Sequence, residues 1–449
     1  MAAAAAAAIF LSLSTPASPF LPANPLLHPT PFRPLGDLSL SRSEQWSTHP
    51  SRQLRGLHAT PPPPSYLASS LPPVTLGVLS GLSIVLFKLS IASLQGTLYG
   101  DLAPLPLPLV PVLGGLGVVA LNPGGKGGGG EGGGAGWPMD LRRVASGVLT
   151  LGSGNSLGPE AGCIELSTLL SSYTNTTSDL ALASGLGGGF NSPIAGGLYA
   201  LEKGSKDNVR DVFLASVSCA LVTRVGLQNE LAFTAPEVES LAGGLGAEEA
   251  MGFALLGVLS GLGSLGLDWL TAAIGERLET EDEKLNRLKP LLGGVICGLL
   301  GAVDPRVLFF GYDTLNSLLA DADIPLLSLL ALVGLKLVAT AASKASGLVG
   351  GELAPSLFIG AALGEALHRV IASTGSSQAY AVVGAASFLG AKFGSPISAG
   401  VLVFELTKDY GVLIGLLGAG WVGCWVRGAV GERFMGDLLL DNDNNSNDQ

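Results

Sequence analysis

Apolar stretches follow one another along this chain with few polar interruptions. A membrane-spanning helix needs about 20 mainly apolar residues, roughly 17 to 25. Stretches of that kind cover 74–97, 105–121, 141–156, 180–201, 211–225 and 250–274, then 290–310, 324–342, 348–371, 379–404 and 412–430. Several are short, and several are cut by Gly and Pro. The segments 154–159 and 347–355 cannot be plain helices across lipid. At membrane depth, irregular backbone survives only inside protein or beside a water-filled cavity. The pattern predicts an all-α polytopic membrane protein built of tilted, broken helices.

Interruptions of the pattern set the domain organisation. A glycine-rich tract at 124–136 reads as an exposed loop. The charged segment 276–289 divides the body, 74–433, into halves of about 74–275 and 290–433. A short acidic tail, 434–449, is expected to be disordered, as is a proline-rich linker at 59–73. Residues 1–58 hold eight serines, four arginines, no lysine and two acids. That composition fits an organelle transit peptide, plastid in type. A secretory signal is the rival reading, because 2–12 is apolar, but no basic residue precedes it.

Composition narrows the function. Only 13% of the 449 residues are charged, against about a quarter in soluble domains. The 65 glycines are spread through the apolar stretches, as in closely packed membrane helices. A net charge of −11 argues against nucleic acid as a partner and leaves membrane lipid as the surrounding medium. Cys163, Cys219, Cys297 and Cys424 lack metal-ligand spacing and read as packing residues. There is no nucleophile–base pair, metal cluster or phosphate loop, and three of the four histidines precede residue 60. The chain is therefore read as neither an enzyme nor a cofactor or metal binder.

The chain repeats itself. Phe190-Asn191-Ser192-Pro193-Ile194-Ala195-Gly196-Gly197, leading to Glu202, recurs 203 positions on as Phe393-Gly394-Ser395-Pro396-Ile397-Ser398-Ala399-Gly400, leading to Glu405. Upstream, Gly158-Pro159-Glu160-Ala161-Gly162-Cys163 is echoed 193 positions on by Gly351-Glu352-Leu353-Ala354-Pro355-Ser356. Two related halves with breaks at mid-membrane are a transporter architecture. The rival is Gly-Pro kinks that only pack tightly. The first half is compressed between its two motifs: 22 residues separate Ser167 from Phe190, against 32 from Gly360 to Phe393. Two full spans and a turn are hard to fit there.

Such breaks suit an anion. A helix N-terminus exposes unpaired N–H groups and the positive end of its dipole. Glu160 is the candidate gate: ionised, it would occupy the anion's place, and protonation would remove the competition. Its rival role is a helix-start cap. Glu165 carries no assigned role. Glu202 and Glu405 are expected to face headgroups or packing partners, and Lys203 reads as a helix-end cation.

These motifs resemble the CLC chloride-channel family, most closely its plant chloroplast branch. Leu157–Gly162 is similar to the family's gating motif, and Gly350–Gly360 to its second-half anion motif. The resemblance covers most of 75–430 and implies a CLC-like inverted repeat. It also implies a homodimer with one pore per subunit for chloride or other small anions. Glu160 would be the gating glutamate. The backbone around Gly158, Pro159 and Ala161, and around Gly351, Glu352, Leu353 and Ala354, would hold the anion. Lys203 stands where proton-coupled members carry an inner glutamate. This sequence departs from the family pattern at Pro159, where a basic residue is usual, and at Glu352, which is either a second gate or an anion repellent. No first-half serine motif or late pore tyrosine is placed. The expected function is an anion channel of a plastid membrane, the thylakoid on family grounds. An anion/proton exchanger and a non-conducting scaffold are the alternatives.

Overall fold

The computed structural model describes residues 65–100, 106–121, 137–228, 246–280, 282–320, 324–371 and 376–446. The segment 1–58 and the tract 124–136 lie outside them. The chain divides into units Met1–Leu67 and Ala68–Gln449, and apart from the first residues of the first helix every described helix belongs to the second.

The helices are α1 (Ser65–Tyr99), α2 (Val110–Leu121), α3 (Trp137–Gly152), α4 (Glu160–Thr174), α5 (Ser178–Phe190), α6 (Pro193–Glu202) and α7 (Val209–Gly226). There follow α8 (Ala247–Leu278), the short α9 (Glu283–Arg287), α10 (Lys289–Val303), α11 (Tyr312–Leu319) and α12 (Leu326–Ala345). The last four are α13 (Leu353–Ile371), α14 (Ser377–Phe393), α15 (Pro396–Thr407) and α16 (Leu413–Ser446). Among the described residues, segments within α1, α8, α12 and α16 are long and apolar enough to cross a membrane. Outward side chains such as Leu86 (67% exposed), Val225 (80%) and Leu327 (80%) form surfaces suited to lipid.

Several apolar stretches are divided where the sequence carries Gly and Pro. The stretch 180–201 is α5 and α6, and 379–404 is α14 and α15. Each second helix opens on a proline, which fits the first helical position because its missing N–H would have no partner there. The stretch 141–156 stops at Gly152, and Gly154 follows at φ +90°, where a side chain would collide with the Tyr99 hydroxyl. At its front, α1 starts inside the expected linker and contains Pro72 and Pro73. The Thr75 hydroxyl donates to the Pro72 carbonyl (2.9 Å). At the far end, α16 carries helical backbone into the expected tail.

The compressed first half is accommodated by short helices. α4 and α5 have 15 and 13 residues, against 19 and 17 in α13 and α14. At about 1.5 Å per residue, α5 is about 20 Å long, less than the roughly 30 Å hydrocarbon core. The turn between α4 and α5 is tight because Asn175 (φ 53°) closes α4 and Thr177 caps α5.

Packing moves the boundary between the repeats. Gly77 and Gly81 of α1 lie against the Ala215 and Cys219 carbonyls of α7, where a Cβ would come within 2.5 and 2.9 Å. Gly257 and Gly261 of α8 lie against the Ala419 and Gly423 carbonyls of α16, at 2.7 Å each. The G-x-x-x-G spacing puts both glycines on one helix face and lets the backbones approach. α8 is thus the counterpart of α1, and the second repeat begins before α8. The charged segment 276–289 is a connection inside it, which corrects the division of the halves at that segment.

Candidate functional site

The two anion motifs meet. The Gly158 N–H donates to the Gly351 carbonyl (2.7 Å), and the Gly351 N–H donates to the Gly158 carbonyl (2.8 Å). These are equivalent residues of the two halves, paired antiparallel, as a local two-fold axis requires. The bridge brings the N-termini of α4 and α13 together. The loop before α4 is held on several sides. Asn155 Nδ2 donates to the Pro111 carbonyl (3.1 Å), the Phe309 N–H donates to the Gly154 carbonyl (3.0 Å), and Ser156 Oγ bonds Thr340 Oγ1 of α12 (3.1 Å).

Glu160 sits in this junction, 1% exposed. The Ala354 N–H, in the first turn of α13, donates to its Oε1 (2.9 Å), and the Leu353 amide also contributes. Oε2 is buried without a hydrogen-bond partner among the described residues. Glycine on either side makes the room. A Cβ at Gly158 would overlap the carboxylate, and one at Gly351 would lie 2.6 Å from Oε1.

The geometry sorts the seven backbone positions expected to hold an anion. The amides of Gly158 and Gly351 are spent on each other, so they are structural here, a correction of the expectation. Pro159 has no N–H to offer. Ala161 stands in the first turn of α4, where N–H groups have no intrahelical acceptor. Leu353 and Ala354 face the Glu160 carboxylate.

Glu352 is engaged elsewhere. Its carboxylate meets the Lys392 ammonium of α14 (3.3 Å), which also pairs with Asp268 of α8. Asp268 in turn pairs with Arg427 of α16, whose Nη1 donates to Ser264 Oγ (3.1 Å). A carboxylate compensated in this way presents little net charge to an anion. Glu165 pairs with Arg143 of α3 (2.7 Å).

The Phe-x-Ser-Pro repeats also face each other. Glu405, at the end of α15, accepts from the N–H groups of Ile194 and Ala195 at the start of α6 (3.0 and 2.8 Å). Glu202, at the end of α6, accepts from Ile397 and Ser398 at the start of α15 (2.9 and 2.8 Å). Each carboxylate caps the opposite helix, at the same 203-residue offset as the sequence repeat. Lys203 lies exposed beyond α6, and its ammonium donates to the Phe393 carbonyl at the end of α14.

Two lysines in apolar helices escaped the sequence reading. Lys336 of α12 is fully buried and donates to the Val307 and Phe309 carbonyls, both at 2.9 Å. Lys88 of α1 donates to the Gly189 carbonyl of α5. The available signal was a single cation inside a long apolar run.

Comparison with known proteins agrees with this geometry. Residues 126–428 match the family model described as voltage gated chloride channel. The chloride channel protein CLC-e of Arabidopsis thaliana is 32% identical over 430 residues, covering 80% of this chain and 59% of the relative. CLC-f of the same plant is 33% identical over 322 residues, 63% of this chain and 41% of the relative. The chain thus spans about 40–60% of the length of these relatives. Among solved structures, a slow cyanobacterial Cl⁻/H⁺ antiporter superposes with a TM-score of 0.69 at 18% identity, over 85% of this chain and 99% of the other. A CLC-type fluoride/proton antiporter gives 0.68 at 19%, over 81% and 96%. The paired break motifs, the helix repeat and the match over most of the body lead to one assignment: this chain belongs to the voltage-gated chloride channel family, the CLC family.

Proposed function

We propose that this chain is an anion channel of a plastid membrane. It conducts chloride or a similar small anion through a pore in each subunit of a homodimer, with Glu160 as the gate. The observation that carries the reading is the Glu160 carboxylate on the Ala354 N–H at the start of α13. A carboxylate there occupies a place suited to a small anion, because the amides at a helix start carry positive potential. A proton on Glu160 removes its charge and weakens its hold on the amide. An anion then takes the position. Lys203, bonded to a helix C-terminus, offers no carboxylate to relay protons at that position, which favours passive conduction. Plastid targeting rests on the composition of 1–58, and thylakoid placement on the family resemblance.

The alternative is an anion/proton exchanger, supported by a protonatable, buried Glu160 in the pathway. Chloride-loaded liposomes carrying the protein without residues 1–58 separate the two. Rapid efflux that needs no proton movement, with Glu160→Ala conducting regardless of pH, is the expected result. Efflux strictly coupled to proton uptake and uncoupled by Glu160→Ala establishes the exchanger. Folded dimers that pass no anion would overturn both and leave a membrane scaffold.

A further inference from the structure

Lys88 lies in the middle of α1, an otherwise apolar span. α1 packs on the first turn of α4. A Cβ at Gly162 would overlap the Phe87 ring, and Ile84 and Phe87 share a core cluster with Leu157 and Cys163. The Lys88 ammonium donates to the Gly189 carbonyl near the end of α5. It forms no ion pair among the described residues. The Gly189 backbone that it meets lies against Cys163, where a Cβ would come 3.5 Å from the Cys163 Cβ, and Cys163 is one turn along α4 from Glu160. An ammonium has three donors, and this carbonyl takes one. Glu160 Oε2 is likewise without a hydrogen-bond partner. A partly buried cation with donors to spare therefore stands in the neighbourhood of a buried carboxylate with an acceptor to spare. The other titratable groups near Glu160 are Cys163 on its own helix and Tyr312 of α11, while Cys219 of α7 lies near Lys88.

We infer that Lys88 is the fixed cation of the gate, a positioning residue that sets how readily the Glu160 carboxylate takes a proton and leaves the anion site. The inference rests on the reading of Glu160 as the gate. A positive charge nearby favours the ionised carboxylate and therefore the closed pore. Without it, the carboxylate is protonated at higher pH and the pore opens sooner. The local sequence accounts for the arrangement: Pro159 brings no charge into the motif, and the cation comes from another helix.

The test is chloride efflux from liposomes between pH 4.5 and 8.5. It compares the native chain, Lys88→Gln, Lys88→Arg, Glu160→Ala and Lys88→Gln with Glu160→Ala. Gln keeps a donor for the Gly189 carbonyl and loses the charge, so it separates electrostatics from packing. Lys88→Met serves as a second uncharged variant. The expected result is a rise of about one pH unit in the half-activation point for Lys88→Gln. Lys88→Arg should keep the native point, and the shift should vanish in the Glu160→Ala background. If Glu160→Ala abolishes the pH dependence but folded Lys88→Gln and Lys88→Met keep the native profile, the role of Lys88 is overturned. If Glu160→Ala leaves the pH dependence intact, the gate reading itself fails.

Discussion

At Gly351, a single methyl group would lie 2.6 Å from Glu160 Oε1, so the gate position depends on the absence of a side chain there. Gly351→Ala is expected to push the carboxylate off the Ala354 N–H. Efflux at neutral pH should then approach that of Glu160→Ala and lose most of its pH dependence, as read by liposome flux at pH 5 and pH 7. Glu352 makes the complementary case. Its carboxylate is neutralised by Lys392, which is only 6% exposed. Lys392→Met is expected to leave that carboxylate uncompensated beside the anion site and lower efflux several-fold. Adding Glu352→Gln should restore it. A Lys392→Met chain that conducts normally would show that Glu352 does not face the pathway. Sequence alone named Glu160 and Glu352 but left Glu352 open between a second gate and an anion repellent. Lys392 is distant in the chain, and only the packing of α13 on α14 brings it near.

Helix ends and helix faces carry the next level of organisation. Glu202 and Glu405 each accept two N–H groups from the start of the opposite helix. Removing a cap of this kind costs about 1–2 kcal/mol. Glu202→Ala and Glu405→Ala should therefore both lower the thermal midpoint in detergent, Glu202→Ala somewhat more, since Glu202 also accepts from the Ser398 hydroxyl. A large effect at one and none at the other would contradict the symmetry. The glycine faces are equally specific. Gly257→Val places branched carbon where α16 presents the Ala419 carbonyl, and overpacking of that order costs about 1–3 kcal/mol. A fall in midpoint is expected for Gly257→Val, whereas Gly266, with open space around its Cβ position, should tolerate Ala with little change. The helices themselves were readable from apolar runs. Breaks were readable at 154–159 and 347–355 from their Gly and Pro content, and at Pro193 and Pro396, because a proline after a Gly- or Ser-rich turn marks a helix start from local chemistry alone.

Across the whole body, the repeat was legible because each motif keeps its residue types in its second copy, at an offset of 203 positions for one and 193 for the other. The boundary between its copies was not. The charged segment 276–289 looks like a divider, but tertiary packing of α8 on α16 places it inside the second copy. The lysines inside the helices were also hidden, since a lone lysine in an apolar run gives no sign of which carbonyl or carboxylate it will meet. Gate and pore alike depend on the Glu160 carboxylate standing on an anion site at the start of α13. Bromide-soaked crystals of the native chain and of Glu160→Gln, measured by anomalous scattering at low and high pH, test it most directly. The expected result is a bromide peak within hydrogen-bonding distance of the Leu353 and Ala354 amides in Glu160→Gln, weak or absent in the native chain at high pH. A Glu160→Gln structure with no peak at those amides would contradict the claim.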